Sequence, residues 1–135
     1  QSFRKFEDVP KSNWGKVIFM GLPPMVSRMV KYLNSIDHSG ITYMSSSVAS
    51  YEMLLEGTNK GTAVLEIADM LGIPHERTGA IGDYFNDYDM IKSVGVPAVC
   101  GQAPQAMKDV ATFVACHCNH GAVADFLEYI ENNCQ

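Results

Sequence analysis

The chain has 135 residues, 47% of them hydrophobic, and a formal net charge of −5 at pH 7. This length and composition suit a globular domain with its own core, or a piece of a larger protein. The ten Lys and Arg residues are too few and too scattered for a nucleic-acid partner. The apolar runs are too short to span a membrane and no signal peptide opens the chain, so we expect a cytoplasmic protein.

The first part of the chain predicts a β-α-β-β segment. Residues 16–20 predict a strand, which is closed by Gly21 and two prolines. Residues 41–44 and 51–55 predict two further strands, separated by a serine-rich turn. Between the first and second strands, apolar residues spaced three and four apart predict an amphipathic helix: Val26, Met29, Val30 and Leu33.

From residue 58 onward, helices and strands alternate. The first helix has an apolar stripe and ends at Gly72, with a proline two residues beyond it. Another helix starts at Pro104 and a last one closes the chain. The remaining predicted elements are strands at 78–82, 96–100 and 112–116 and a helix at 87–94. This order predicts an α/β protein with a parallel sheet.

We place a domain boundary near residue 57. Residues 1–57 are expected to form a small α+β piece, and residues 58–135 part of a doubly wound sheet. Because the chain begins with Gln1 rather than Met, we expect it to be a fragment of a longer protein.

The most informative stretch is the acidic loop, residues 82–87, which follows the apolar run 78–81. It contains two carboxylates and a carboxamide: Asp83, Asn86 and Asp87. Ligands of open α/β sheets bind beyond the carboxyl ends of the strands, and hard oxygen donors suit Mg²⁺ together with phosphate. Turn formation is an alternative explanation, and Asp87 is also expected to cap the next helix. Turn chemistry alone does not explain Asp83 at the end of a buried strand.

Lys60 lies in the first turn of a predicted helix, where a cation faces the positive end of the helix dipole. This placement is unfavourable by up to about 1 kcal/mol, so we expect a nearby anion to offset it. Lys60 and Asp83 are one helix and one strand apart, which places both at the same edge of the sheet. A solvated surface lysine is the alternative interpretation; the shared edge favours an anionic site.

The four cysteines are interpreted as reduced thiols: Cys100, Cys116, Cys118 and Cys134. An even count suits disulfides in a small secreted protein, but this chain has a regular apolar pattern and no secretory signal. The Cys-His-Cys-Asn-His segment at 116–120 also allows a zinc site, although structural zinc usually takes two ligand pairs separated in sequence. We therefore expect a buried thiol pair with surface histidines in this segment.

Two of these features carry a resemblance to a known family. Residues 59–61 (Asn-Lys-Gly) and residues 80–90, which contain the acidic loop, resemble the third and fourth sequence motifs of the haloacid-dehalogenase-like (HAD) phosphatases, in particular the Cof-type subgroup. The similarity extends over residues 57–132. Residues 16–56 are similar, more weakly, to the last part of that subgroup's α/β cap, and the most suggestive positions there are Ser46, Ser47 and residues 51–53.

The resemblance implies a partial Rossmann-like core at 58–135, preceded by the C-terminal remnant of an α+β cap at 1–57. It implies hydrolysis of small phosphorylated metabolites, such as sugar phosphates, through an aspartyl-phosphate.

Roles for individual residues follow from the same resemblance. Asp83 would be a Mg²⁺ ligand, with Asp87 as a second candidate. Lys60 would neutralise the phosphoryl group and the nucleophile, Asn86 would help to position the phosphate, and Asp87 would orient Lys60. This division of roles fits phosphoryl transfer, in which positioning and charge neutralisation dominate.

The sequence departs from the family in two respects. The nucleophile motif, Asp-x-Asp after an N-terminal apolar strand, is missing, because the Asp-x-Asp at 87–89 lies inside the fourth motif. The second motif, a Ser or Thr ahead of the cap, is unmatched as well, since the serines at 45–47 come too late. We therefore expect the parent protein to be a phosphohydrolase and this chain alone to be inactive.

Two alternatives stay open. The chain could be a non-catalytic module that binds Mg²⁺ or an anion, or that forms a homo-oligomer through its exposed sheet edge. It could also be a receiver-like doubly wound protein, in which acidic loops hold Mg²⁺. That class needs acidic residues at the end of the first strand, and none follows residues 16–20.

Overall fold

The computed structural model of the chain describes residues 14–36 and 39–134, together with Lys5 and Glu7. The other residues of the predicted first domain, 1–57, lie outside the described part. Within the described residues, no helix combines the length and the apolar character needed to cross a membrane. The cytoplasmic location expected from the sequence stays a prediction.

The first sheet is antiparallel and has the strand order β1-β3-β2. One helix, α1, begins at two prolines, whose missing N–H groups cost nothing in a first helical turn. Its buried residues Val26 and Leu33 pack on Tyr51, which lies on one face of the sheet. The elements are β1 (Val17–Met20), α1 (Pro23–Leu33), β2 (Ile41–Ser47) and β3 (Ser50–Leu55).

The second sheet is parallel and has the strand order β4-β5-β6. A helix precedes or follows each of its strands, so the predicted α/β class with a parallel sheet is confirmed. The strands are β4 (Gly79–Gly82), β5 (Val96–Val99) and β6 (Phe113–Val114). The helices are α2 (Lys60–Leu71), α3 (Tyr88–Ser93), α4 (Gln105–Lys108) and α5 (Ala122–Asn133).

The core of the second sheet lies between its strands and the helices α3 and α4. Ile91, Val99 and Met107 are fully buried there. Gly95, which ends the α3 segment, allows a close approach of two backbones, because an added Cβ would stand 2.1 Å from the carbonyl oxygen of Glu76. This contact holds the start of β5 against the chain that leads into β4.

Two elements are shorter than the sequence pattern predicts. The helix expected at 87–94 runs only from Tyr88 to Ser93, because a 3₁₀ turn occupies Phe85–Asp87. The helix that follows Pro104, α4, is a single turn. The strand expected at 112–116 pairs only at Phe113 and Val114, because its partner β5 ends at Val99. Apolar spacing indicates where a strand lies, but the length of the paired segment depends on the neighbouring strand.

Candidate active site

The acidic loop folds back over the end of β4. The side-chain Oδ2 of Asp87 accepts a hydrogen bond from the backbone N of Asp83, at 3.0 Å, and a 3₁₀ turn at Phe85–Asp87 closes the loop. This return requires glycine at position 82, since an added Cβ there would stand 2.5 Å from the Cβ of Asp87. The absence of a side chain at Gly82 therefore gives the Asp87 carboxylate its place at the carboxyl end of the strand.

The start of α2 is set by a reciprocal cap. The side chain of Asn59 accepts from the backbone N of Thr62 at 2.8 Å, and the hydroxyl of Thr62 accepts from the backbone N of Asn59 at 3.2 Å. These two bonds satisfy N–H groups that a helix N-terminus leaves without partners. The helix consequently begins at Lys60, at the carboxyl edge of the parallel sheet.

Gly61 brings the first turn of α2 against α3. An added Cβ at this position would stand 2.8 Å from both the carbonyl oxygen of Asp89 and the hydroxyl of Ser93. Any larger residue would therefore push the two helices apart. Because α3 follows the acidic loop directly, this close packing carries the neighbouring Lys60 to the loop.

Lys60 and Asp87 form an ion pair, in which the Lys60 ammonium donates to Oδ1 of Asp87. Asp87 is only 5% exposed, whereas the Lys60 side chain is 51% exposed. The carboxylate thus provides the anion that a lysine at a helix N-terminus needs nearby. Both oxygens of Asp87 have a donor, as a buried carboxylate requires.

The other two predicted site residues lie in the same loop. Asp83 is exposed and Asn86 is half-buried in the middle of the 3₁₀ turn. Among the described residues, the ion-pair partner of Lys60 is Asp87 and not Asp83. The expectation that Asp87 caps α3 is wrong for its side chain: Asp87 occupies the cap position, but its carboxylate makes no capping hydrogen bond and binds the N–H of Asp83 instead.

The oxygen atoms of the acidic loop could supply only some of the ligands of a Mg²⁺ ion. Within residues 14–36 and 39–134, no three His, Cys, Asp or Glu side chains are grouped so that they could hold a metal ion. Asp83 offers an exposed carboxylate, while both oxygens of Asp87 are engaged. Mg²⁺ usually takes one or two carboxylates and fills its other positions with water and substrate phosphate. Asp83 is therefore suited to be one such ligand.

The cysteine-rich segment differs from its prediction. Cys116 is half-buried and Cys118 is exposed, so the expected buried thiol pair is wrong, whereas the histidines are exposed as expected. The chain leaves the sheet after Val114 and enters a 3₁₀ turn at Cys118–His120, so strand alternation does not apply. In this turn Nδ1 of His117 accepts from the backbone of Asn119 at 3.2 Å. The described cysteines are free thiols, as predicted.

Cys100 lies next to the acidic loop, since its backbone N donates to the carbonyl of Gly82 at 2.9 Å, and the sequence predicts only a reduced thiol there. It is the first residue after β5, and it is buried at the sheet edge that also carries Asp83. Burial is the main cause that raises the pKa of this thiol, and the charge of Asp83 adds to it. The thiol therefore stays neutral. Its position directly after a strand was the available sequence signal.

Comparison with known proteins agrees with this fold. A family model of haloacid dehalogenase-like hydrolases matches residues 1–127, and the chain therefore belongs to that family. The predicted family resemblance is confirmed. An HMP-PP phosphatase of Citrobacter koseri is 32% identical over 127 residues, which are 93% of this chain and 47% of that protein.

Two solved structures share the fold. A haloacid dehalogenase-like hydrolase from B. subtilis has a TM-score of 0.80 at 21% identity, over 98% of this chain and 46% of that one. The HAD subclass IIB sugar phosphatase BT4131 has a TM-score of 0.69 at 22% identity, over 78% of this chain and 40% of that one. The chain thus spans about half the length of the relatives it matches.

Proposed function

We propose that this chain is the C-terminal part of a Cof-type HAD phosphatase and carries the half of its active site that binds the metal and the phosphoryl group. The parent protein would hydrolyse small phosphorylated metabolites through an aspartyl-phosphate, with the nucleophilic aspartate outside this chain. Residues 1–57 would belong to the cap and residues 58–135 to the core. The ion pair of Lys60 with the buried Asp87, beside the exposed Asp83, is the observation that carries the proposal.

The proposed roles of Lys60, Asp83 and Asp87 rest on their contacts and exposure, whereas that of Asn86 rests on the family resemblance. Asp87 holds Lys60 in place, and the half-exposed ammonium of Lys60 remains able to bind a phosphoryl oxygen. Asn86, in the 3₁₀ turn at Phe85–Asp87, would position the phosphate. Asp83 would be the ligand of Mg²⁺, because Asp87 has no oxygen without a donor. When bound, Mg²⁺ would supply positive charge at the phosphoryl oxygens.

The proposed substrate class is supported by the relatives. One of them is named as an HMP-PP phosphatase and another as a sugar phosphatase. Both names describe phosphatases, and the second specifies a sugar. A phosphorylated metabolite also suits this site, since the ammonium of Lys60 and a Mg²⁺ ion held by Asp83 would together offset the negative charge of one phosphoryl group.

A second candidate function is favoured by the edge of the parallel sheet. Strand β4 lies at the end of the order β4-β5-β6, so its outer side has no partner strand among the described residues. Such an edge can pair with another chain. The chain would then be a non-catalytic Mg²⁺ or anion-binding module that forms a homo-oligomer through β4. Its mass in solution, measured by light scattering, distinguishes this module from a monomeric fragment.

Binding of inorganic phosphate tests the main proposal. In the presence of Mg²⁺, titration calorimetry should detect phosphate binding, and Lys60→Met should weaken it about ten- to a hundredfold, because a hydrogen bond to a charged group is lost. Lys31→Met, the same change at an exposed position of α1, is the matched control and should have no effect. Equal binding by both variants would refute the role of Lys60.

The absence of the nucleophile is tested by a hydrolysis assay. With p-nitrophenyl phosphate and Mg²⁺, this chain should show only background hydrolysis. Turnover that Asp83→Ala abolishes would mean that the nucleophile lies within this chain and that the proposed division of the active site is incorrect.

A further inference from the structure

Cys100 and Cys118 are two thiols that the proposed phosphoryl site does not use. Cys100 is buried at the end of β5, and its backbone N donates to the carbonyl of Gly82 at the base of the acidic loop. Cys118 is exposed and begins the 3₁₀ turn Cys118–His120, which follows β6. Because β5 and β6 are parallel neighbours, the residues that follow them lie at the same edge of the sheet. The two thiols therefore share the edge that carries the phosphoryl site.

The segment after β5 packs directly against the segment after β6. The backbone N of Gly101 donates to the carbonyl of Cys116 at 3.0 Å. The side chain of Gln102 reaches further along the same segment, and its Oε1 accepts from the backbone N of Cys118 at 3.0 Å. The carboxamide of Gln102 is also hydrogen-bonded to the thiol of Cys100. One side chain thus contacts both cysteines.

The other two cysteines are less suited to react with a partner at this edge. The pKa of the Cys116 thiol is raised, mainly by partial burial, and the charge of Asp125 adds to this effect, so the thiol stays neutral. Cys134 lies beside Gly79, the first residue of β4, and therefore at the opposite end of the parallel sheet. Cys118 is the exposed thiol at the carboxyl edge.

The surroundings of Cys118 suit a thiol that is sensitive to oxidation. Its Sγ lies 3.7 Å from Nδ1 of His117, and this Nδ1 accepts a hydrogen bond from the backbone N of Asn119. The Nδ1 atom therefore carries no proton, and it can take the proton of the thiol when the sulfur attacks an electrophile. Oxidation-sensitive cysteines are exposed and often have a second thiol nearby that resolves the oxidised sulfur. Cys118 meets both conditions, because it is exposed and shares the side chain of Gln102 with Cys100.

We propose that Cys118 is a modification site for hydrogen peroxide and that Cys100 resolves it, so that a reversible disulfide forms beside the phosphoryl site. The Cys118 sulfur, which gives its proton to His117, attacks one oxygen of the peroxide. A sulfur–oxygen bond forms, the oxygen–oxygen bond breaks, and the leaving hydroxide takes up that proton as water. The Cys100 thiol then attacks the sulfur of the sulfenic acid, and a second water leaves with the Cys100 proton. Both thiols are oxidised to one disulfide, and the peroxide is reduced to water.

Peptide mapping of the peroxide-treated chain tests this assignment. Free thiols are blocked with N-ethylmaleimide, and trypsin then cuts after Lys92 and Lys108, which places Cys100 and Cys118 on different peptides. Mass spectrometry should show these peptides joined, with two hydrogens fewer than their sum, and dithiothreitol should separate them. Cys118→Ser should remove the joined pair. Cys116→Ser, the same change two residues earlier, is the matched control and should keep it.

The identity of the joined thiols decides the outcome. A joined pair that persists in Cys118→Ser, or that is lost in Cys116→Ser, would assign the bridge to another thiol and refute the proposal. The absence of a joined pair in the unaltered chain, or its presence only in covalent dimers on non-reducing electrophoresis, would also refute it. Thermal unfolding shows whether Cys118→Ser is folded; if it is not, Cys118→Ala decides in its place.

The same treatment in urea shows whether the fold selects this pair. In the unfolded chain, closing a short loop costs less entropy than closing a long one. Disulfides within the peptide 109–135 should therefore increase and the bridge between Cys100 and Cys118 should decrease. An unchanged pattern in urea would refute the argument from the packing of the two segments.

Discussion

Asp87 connects the acidic loop to Lys60 through two interactions, a hydrogen bond and an ion pair. Two different replacements of Asp87 separate the contributions of these interactions to the free energy of unfolding. One oxygen accepts from the backbone N of Asp83 and the other from Lys60. Asp87→Asn keeps an oxygen that can accept from the Asp83 N–H but removes the charge. Asp87→Ala removes both interactions and leaves the N–H of Asp83 without its side-chain acceptor.

The structure sets the expected size of each effect. Lys60 is 51% exposed and regains water when its partner is lost, so the ion pair contributes about 1 kcal/mol or less to the free energy of unfolding. A donor left without an acceptor in a buried environment costs about 1–3 kcal/mol. We therefore expect Asp87→Asn to lower the free energy of unfolding by about 1 kcal/mol and Asp87→Ala by about 2–4 kcal/mol.

Urea unfolding followed by circular dichroism measures this difference. Asp89→Asn is the matched control, because Asp89 is an exposed carboxylate two residues further on, and it should change the free energy of unfolding by less than about 0.5 kcal/mol. Equal losses for the Asn and Ala variants of Asp87 would refute the reasoning, since the bond to the Asp83 N–H would then contribute nothing to stability.

Three further predictions concern other parts of the molecule. Gly61→Ala should lower the free energy of unfolding by about 1–3 kcal/mol in urea, because the added Cβ would stand 2.8 Å from the carbonyl oxygen of Asp89; an unchanged value would contradict the close packing of α2 and α3. The folded-state pKa of Glu52 lies below its ordinary 4.5, so the folded state binds this proton more weakly than the unfolded state. Its stabilising effect should be complete above about pH 4.5 and be lost as the pH falls through the lower folded pKa. The difference in unfolding free energy between the chain and Glu52→Gln should therefore shrink on acidification, and a difference that grows would contradict the sign. Iodoacetamide should modify the exposed Cys118 before the buried Cys100, whose thiol pKa is raised. Mass spectrometry of timed samples measures the order of modification, and earlier modification of Cys100 would contradict this prediction.

Much of the fold could be predicted from local pattern. The apolar spacing and the glycine and proline positions located the β-α-β-β segment and the alternating helices and strands, because these signals depend on residues close in sequence. The errors lie where a distant partner decides the outcome. The strand β6 is short because β5 ends at Val99, and the side chain of Asp87 binds Lys60, 27 residues away, rather than capping the helix it precedes.

The candidate site was predictable in position but not in geometry. The carboxyl ends of parallel strands lie at one edge of a sheet, so the order of the elements was enough to bring Lys60 and the acidic loop to the same edge. Residue spacing left open which carboxylate pairs with the lysine, and only the family resemblance implied Asp87. The pairing depends on Gly61 and Gly82, where the absence of a side chain allows a helix and a loop to approach closely.

The amino-acid sequence by itself therefore determined the family, the order of helices and strands, and the residues of the acidic loop and Lys60. Only the tertiary structure decided that the carboxylate of Asp87 is buried against Lys60 and that Asp83 keeps an exposed carboxylate. The reason is that periodicity specifies the direction of a side chain along its own element, whereas distances between elements arise from the packing of residues far apart in sequence.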